Sequence, residues 1–139
     1  MSRVTSKEIE GYVRKELQES ALAKEISGKV YRRGTRPRGS SVEDAVVSFT
    51  AGSSDEISEG FVTVNVFVPD FAPIDDGVLV ENIARMEELE KLASEWVENL
   101  PVYPYQFALR DTIYTVEEPE TREHFVAIHL RYRIYEPKK

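Results

Sequence analysis

The two histidines are the side chains of this chain with the widest chemistry, because imidazole can bind a metal ion or transfer a proton near neutral pH. His124 and His129 are five positions apart in a segment that alternates like a β-strand, so we expect them on opposite faces of a sheet. Two ligands on opposite faces cannot share one metal ion. The spacing therefore predicts structural or solvated histidines and no metal site.

Carboxylates are the other candidates for acid and base chemistry. A catalytic pair needs two carboxyl groups in unlike environments within a cleft, whereas the glutamates of the helical segment are expected on one solvated helix face. These residues are Glu87, Glu88, Glu90, Glu95 and Glu98. The chain also contains no cysteine and no glycine-rich phosphate loop or nucleophile elbow. We predict a protein that is not an enzyme, with no cofactor and no small-molecule substrate.

The acidic residues are concentrated in one segment. Residues 70–98 contain nine acidic residues against Arg85 and Lys91, a net charge of −7, which equals the formal charge of the whole chain. The remainder is therefore electrically balanced. Such a segment indicates a surface that faces something to be repelled rather than bound.

Arginines are concentrated in a second segment, between two predicted strands. Four arginines lie within seven residues, namely Arg32, Arg33, Arg36 and Arg38. Glycine and proline separate them and no apolar side chain anchors them, so an exposed loop is expected. Guanidinium groups can bind phosphates, but no aromatic platform accompanies them. We favour a loop that orders against the acidic face of a neighbouring copy.

The elements that position these groups begin with a helix. Thr5 and Glu8 match a capping box, and Ile9, Val13 and Leu17 recur every four residues. This pattern predicts a helix from about residue 6 to residue 19, followed by a second short turn that ends at Gly28. The acidic segment predicts another helix, which ends before Pro101. Its inner stripe is apolar: Leu79, Ile83, Met86, Leu89, Ala93, Trp96, Val97 and Leu100.

Alternating residues predict five strands. They cover residues 29–31, 45–50, 61–68, 113–116 and 125–135. In the third strand one face is all valine, which suits packing beneath a helix. Hairpin-length connections favour antiparallel pairing. We predict one α+β domain spanning residues 1–139, with a mainly antiparallel sheet of four to five strands packed against two helices in the order α-β-β-β-α-β-β.

The last strand and the segment before it carry residue types that are common at protein interfaces. Tyrosine and arginine are enriched there. The candidates are Tyr103, Tyr105, Arg131, Arg133 and Tyr135. A solvated sheet face explains the same residues equally well, although exposed sheet edges in such a domain favour pairing with another chain. No apolar run is long enough to span a membrane, and the N-terminus lacks a signal-peptide pattern, so we expect a soluble protein that is not exported and has no membrane partner.

The order of these elements resembles a known family. The N-terminal helix is followed by Gly28-Lys29-Val30-Tyr31, a proline-containing loop and a strand from Asp44 to Thr50. Residues 60–69 then precede the long helix, and residues 124–132 form the closing strand. Over nearly its whole length the chain is similar to the tail-completion or tail-terminator proteins of long-tailed bacteriophages.

The resemblance implies a structural protein of a phage or prophage, without catalytic activity. Such a protein forms a ring of identical subunits at the head-tail junction, binds tail-tube and connector proteins, and lets DNA pass without specific binding. It would lie in the cytoplasm during assembly and in the virion afterwards. An acidic lining would keep the duplex from adhering. Two alternatives remain: a nucleic-acid-binding module that uses the arginine loop, and a small adaptor that binds one protein partner.

Overall fold

The computed structural model describes residues 4–53 and 59–134. The helices are α1 (Ser6–Gln18), α2 (Ala21–Glu25) and α3 (Ile83–Glu98). The strands are β1 (Val30–Arg32), β2 (Asp44–Ser53), β3 (Glu59–Pro69), β4 (Tyr105–Leu109), β5 (Tyr114–Glu118) and β6 (Glu123–Ile134). The predicted α+β class is confirmed. Helix α2 is the short turn expected after α1, and Leu22 within it is buried.

The strands form one sheet in the order β1-β2-β3-β6-β4, and β5 also pairs with β6. All pairs are antiparallel except β1 with β2. The longest pairing joins β3 to β6, from Glu59 opposite Arg133 to Pro69 opposite Glu123. These two strands form the centre of the sheet.

Strands β4 and β5 are two halves of one interrupted edge strand. Both pair with the same side of β6, and the residues between them, 110–113, lie opposite only two residues of β6, Ile128 and His129. The sequence pattern predicted β5 but not β4, because Tyr105–Leu109 follows two prolines and contains no β-branched residue. Pairing with β6 outweighs this weak local preference.

The core lies between the helices and one face of the sheet. The predicted valine face is confirmed, since Val62, Val64 and Val66 are fully buried. Ile9, Val13 and Leu17 of α1 and Met86, Leu89, Ala93 and Trp96 of α3 pack against it in one cluster. A single apolar stripe on each helix is therefore enough to cover a single apolar sheet face.

Helices α1 and α3 each begin directly after a residue whose side chain caps the helix. The Oγ of Thr5 accepts a hydrogen bond from the backbone N–H of Glu8 at 3.3 Å, as the capping pattern predicts. Helix α3 starts at Ile83 because the side chain of Asn82 accepts from the N–H of Arg85. The prediction was wrong at this end: Leu79 lies outside the helix, and Ile83 is 67% exposed rather than part of the inner stripe.

Candidate functional site

Arg32 lies in β1 rather than in the predicted loop, and its guanidinium is bound within the protein. Its Nε donates to Glu10 at 2.9 Å, and one terminal nitrogen donates to the backbone oxygen of Lys7. The other oxygen of Glu10 accepts from the backbone N–H of Phe49 at 3.1 Å. Glu10 is 2% exposed, so this arrangement ties α1 to the edge of β2 through a buried charge.

Arg36 is bound even more completely. Its Nε donates to Asp44 at 3.1 Å, its terminal nitrogens donate to both oxygens of Glu123, and its guanidinium carbon lies 4.3 Å from the ring centre of Phe67. Ser40 also donates to Asp44. The chain from Arg36 to Ser40 therefore packs across one end of the sheet.

These contacts correct the prediction of an uncovered arginine loop. Arg32 and Arg36 neutralise buried carboxylates of their own chain, and only Arg33 and Arg38 are exposed. The local sequence contains no apolar anchor, and the anchor that exists is ionic and comes from residues distant in sequence. The four arginines therefore do not form one binding surface.

The buried carboxylates have depressed pKa values. Burial raises the pKa of Glu10, but the hydrogen bonds from Arg32 and from the Phe49 N–H, together with the positive charges of Arg32 and Lys7, hold the pKa below its ordinary value. Burial likewise opposes the charged form of Asp44, whereas hydrogen bonds from Ser40, from the Lys29 N–H and from Arg36 lower its pKa further than burial raises it. Both groups are therefore charged in the folded protein.

The acidic face of α3 is only partly free. Glu87, Glu95 and Glu98 are exposed as expected. Glu90 is half-buried and accepts a hydrogen bond from Thr115 at 2.6 Å, and Glu88 pairs with Arg85. The solvated acidic stripe is therefore narrower than the sequence indicated.

Arg85 binds carboxylates that lie outside the acidic segment. It donates to both oxygens of Glu43 at 2.7 Å and to Glu25 of α2 at 2.9 Å. The hydrogen bond to Glu43 raises the pKa of Arg85 above its ordinary value. Arg85 thus fastens the start of α3 to α2 and to the entry of β2.

The candidate tyrosine and arginine interface divides between two faces. Tyr105 lies opposite Ile134 and is 8% exposed, because its ring packs edge-on against Tyr12 at 4.5 Å between centres. Burial raises its pKa. Tyr105 is a core residue, so its assignment to an interface was wrong. Tyr103 is 73% exposed, and Tyr135 lies outside the described residues.

The arginines of β6 lie on the opposite face. Arg131 and Arg133 are exposed and alternate with the buried Leu130, Tyr132 and Ile134. No helix of the described ranges packs on this face, which also carries the half-buried rings of Phe61, Phe67 and Phe125. We call it the open face.

The histidines do not come together. His124 contacts Asp70 at 2.6 Å between Nδ1 and Oδ1, whereas His129 contacts Asp111 at 2.9 Å. The two imidazoles therefore contact different carboxylates, and Nε2 of His124 also lies 3.7 Å from Glu81. Within residues 4–53 and 59–134, no group of three or more potential ligands is close enough to hold a metal ion.

A hairpin between β3 and α3 is the most conspicuous surface feature, and the sequence interpretation missed it. Phe71 and Val80 exchange backbone hydrogen bonds of 3.0 and 2.9 Å, and Asp76 accepts from the N–H of Val78 to close the turn at Gly77, whose φ is 78°. All of residues 71–80 are exposed. Ile74 is 68% and Val78 58% exposed. We call residues 71–80 the apolar hairpin.

The signal for this hairpin was present in the sequence. A proline and an Asp-Asp-Gly turn separate Phe71 from the apolar run Val78-Leu79-Val80. Leu79 of this run was assigned to the following helix because its spacing fits the apolar stripe of that helix. Only the pairing of Phe71 with Val80 distinguishes the two interpretations.

A groove lies between the end of α1, the start of α2 and the second half of α3. Its volume is about 380 Å³, with Leu22, Leu92 and Trp96 at its base and Glu16, Glu19 and Glu95 among its lining residues.

No helix of the described part of the chain is long and apolar enough to cross a membrane. No protein-family model matches the chain, and no curated protein is similar to it. One solved structure, of a protein whose name states no function, is 21% identical, covers 92% of this chain and 95% of its own, and superposes with a TM-score of 0.47.

Proposed function

We propose that this protein is a non-enzymatic structural subunit that assembles with copies of itself, as tail-completion and tail-terminator proteins do at the head-tail junction of long-tailed phages. The observation that carries the proposal is the apolar hairpin. Ile74 and Val78 are more than half exposed on a segment that is closed by backbone hydrogen bonds. Exposed apolar side chains on an ordered projection are typical of a protein-binding element.

The acidic face of α3 supports the second part of the proposal, the passage of DNA. Glu87, Glu95 and Glu98 are exposed on one helix. In a ring these carboxylates would repel the phosphates of a duplex in the channel, whereas basic residues would retain it through counterion release. Tail-tube and connector proteins are the further partners of such a ring.

The internal contacts of the arginines argue against the nucleic-acid-binding alternative. Arg32 and Arg36 would have to leave Glu10, Asp44 and Glu123 to reach a phosphate, and those carboxylates would then be buried and unpaired. The adaptor alternative is favoured by the same apolar hairpin, and it differs from our proposal because it requires a different protein as partner.

Native mass spectrometry over a range of protein and salt concentrations tests self-assembly, with electrophoretic retardation of duplex DNA measured on the same sample. We expect a closed oligomer that does not retard DNA at low salt. A triple variant, Glu87→Lys, Glu95→Lys and Glu98→Lys, should retain its fold and gain salt-sensitive DNA retention. A wild-type monomer that binds DNA at low salt would overturn the proposal.

A further inference from the structure

The apolar hairpin carries charge of one sign only. Its ten residues include Asp75 and Asp76 and no basic residue. The hairpin leaves the sheet directly after β3, where Asp70 donates its N–H to the backbone oxygen of Arg122 at 3.0 Å and contacts His124. It is thus a fixed, apolar and acidic projection at one end of the sheet.

The end of the open face that lies farthest from the apolar hairpin carries exposed positive charge. Arg131 and Arg133 are exposed there, and the guanidinium carbon of Arg110 lies 5.1 Å from the ring centre of Phe61. Two described carboxylates lie close by: Glu59 is 3.6 Å from Arg133, and Asp111, which follows Arg110, contacts His129 on the same face. We call this area, together with the exposed Gln106 that pairs with Arg133, the arginine end.

One copy of the chain cannot bring these two surfaces together. Strand β3 has 11 residues, so its two ends are roughly 33 Å apart at about 3.3 Å per residue. The hairpin follows Pro69, whereas the arginine end lies beside Phe61 and Arg131 at the other end. Two complementary surfaces at opposite ends of one rigid sheet form a head-to-tail contact between copies, and such contacts generate closed rings or filaments.

We propose that the apolar hairpin of one copy docks on the arginine end of a second copy. Ile74 and Val78 would cover the half-buried ring of Phe61, and Asp75 and Asp76 would face Arg131 and Arg133. This inference rests on the proposed self-assembly, because it names the two surfaces that join neighbouring subunits. Complementary charge would set the register of the contact, and apolar burial would supply most of its affinity.

Disulfide cross-linking tests the contact directly, because the chain has no cysteine of its own. Val78→Cys is introduced in one sample and Gln106→Cys in another, and the two are mixed under mild oxidation. The matched control replaces Gln106→Cys with Glu120→Cys, an exposed position in the turn before β6. We expect mixed dimers to form at least about tenfold faster with Gln106→Cys, because docking raises the effective concentration of the two thiols. Equal rates for the two pairs would overturn the inference.

Reversing the charges of the hairpin or of the arginine end tests whether these charges set the relative position of the two copies. Asp75→Lys with Asp76→Lys on the Val78→Cys chain should slow cross-linking to the control rate, and Arg131→Glu with Arg133→Glu on the Gln106→Cys chain should do the same. The two reversed chains together should recover at least half of the original rate. Failure to recover would contradict the charge pairing.

The outcomes separate the two proposals. A closed oligomer without selective cross-linking contradicts this interface and leaves the proposed function standing. Selective cross-linking in a chain that also retains duplex DNA at low salt supports the interface and contradicts the function of a DNA-conducting ring.

Discussion

Arg36 and Glu123 are 87 positions apart in the chain and are joined by two hydrogen bonds, of 3.2 and 2.6 Å. Glu123 is 3% and Asp44 is 1% exposed, and the same guanidinium serves both carboxylates. A charged side chain that looks like a surface group in the sequence therefore neutralises the first residues of β2 and β6.

Arg36→Ala is expected to destabilise the protein by about 3–5 kcal/mol, because it leaves two buried carboxylates without their cation. Urea denaturation followed by circular dichroism measures the loss of unfolding free energy. Arg38→Ala, at an exposed position in the same segment, should change stability by less than about 0.5 kcal/mol. Equal small effects from both substitutions would show that the contacts of Arg36 contribute little.

Stability is expected to fall on acidification because the pKa values of Glu10 and Asp44 are lowered on folding. A lowered folded-state pKa stabilises the protein above the ordinary carboxyl pKa, and this contribution disappears as the pH falls through the folded-state value. The urea midpoint should therefore be steady above about pH 5 and decrease below about pH 4. Glu10→Gln should flatten this decrease, whereas the exposed Glu98→Gln should leave it unchanged.

Gly28→Ala is expected to cost about 2–3 kcal/mol through steric overlap. A Cβ at this position would lie 2.0 Å from Oδ1 of Asp44 and 2.2 Å from the backbone oxygen of Glu43, which already accepts the N–H of Gly28. Gly11→Ala in α1 is the contrasting substitution, since its nearest neighbour would be Arg32 at 3.5 Å. It should stabilise the helix by about 0.5–1 kcal/mol. Thermal denaturation of both variants tests these expectations. A Gly28→Ala protein with unchanged Tm would contradict the close approach of Gly28 to Glu43 and Asp44.

Asn65→Val is expected to stabilise the protein by about 1 kcal/mol. The Oδ1 atom of Asn65 is buried and accepts no hydrogen bond from the described residues, and valine fits a central strand better than asparagine. The matched variant Thr63→Val should not stabilise, because it breaks the hydrogen bond of 3.0 Å between Thr63 and Thr50. A destabilised Asn65→Val protein would indicate that the amide oxygen has a partner in solution.

Most of the fold was predictable because its signals are local and periodic. The stripe Ile9, Val13 and Leu17 and the alternating valines of β3 each indicate one buried face, and burial of apolar area on that face needs no information about distant residues. The missed strand β4 has no such signal. Its residues become a strand only because β6 offers unpaired backbone groups along that edge.

The candidate site was less predictable than the fold. The exposed arginines and tyrosines were selected by residue type, yet Tyr105 packs in the core and Arg36 binds two carboxylates. In the other direction, Leu79 and Ile83 were assigned to a buried stripe and are 40% and 67% exposed. Residue type indicates what a side chain is able to bind, whereas its partner depends on which strands meet.

The amino-acid sequence by itself determined the class of the fold, the face of each helix that is buried and the segment that carries the negative charge, because each follows from the spacing of side chains along one element. Only the tertiary structure decided which arginines are free, that Tyr105 is a core residue and that residues 71–80 project as an apolar hairpin. Those properties depend on contacts such as Arg36 with Glu123 and Phe71 with Val80. Such contacts form only once the chain has folded, and the local pattern either gives no sign of them, as for Arg36, or fits a second interpretation, as for residues 71–80.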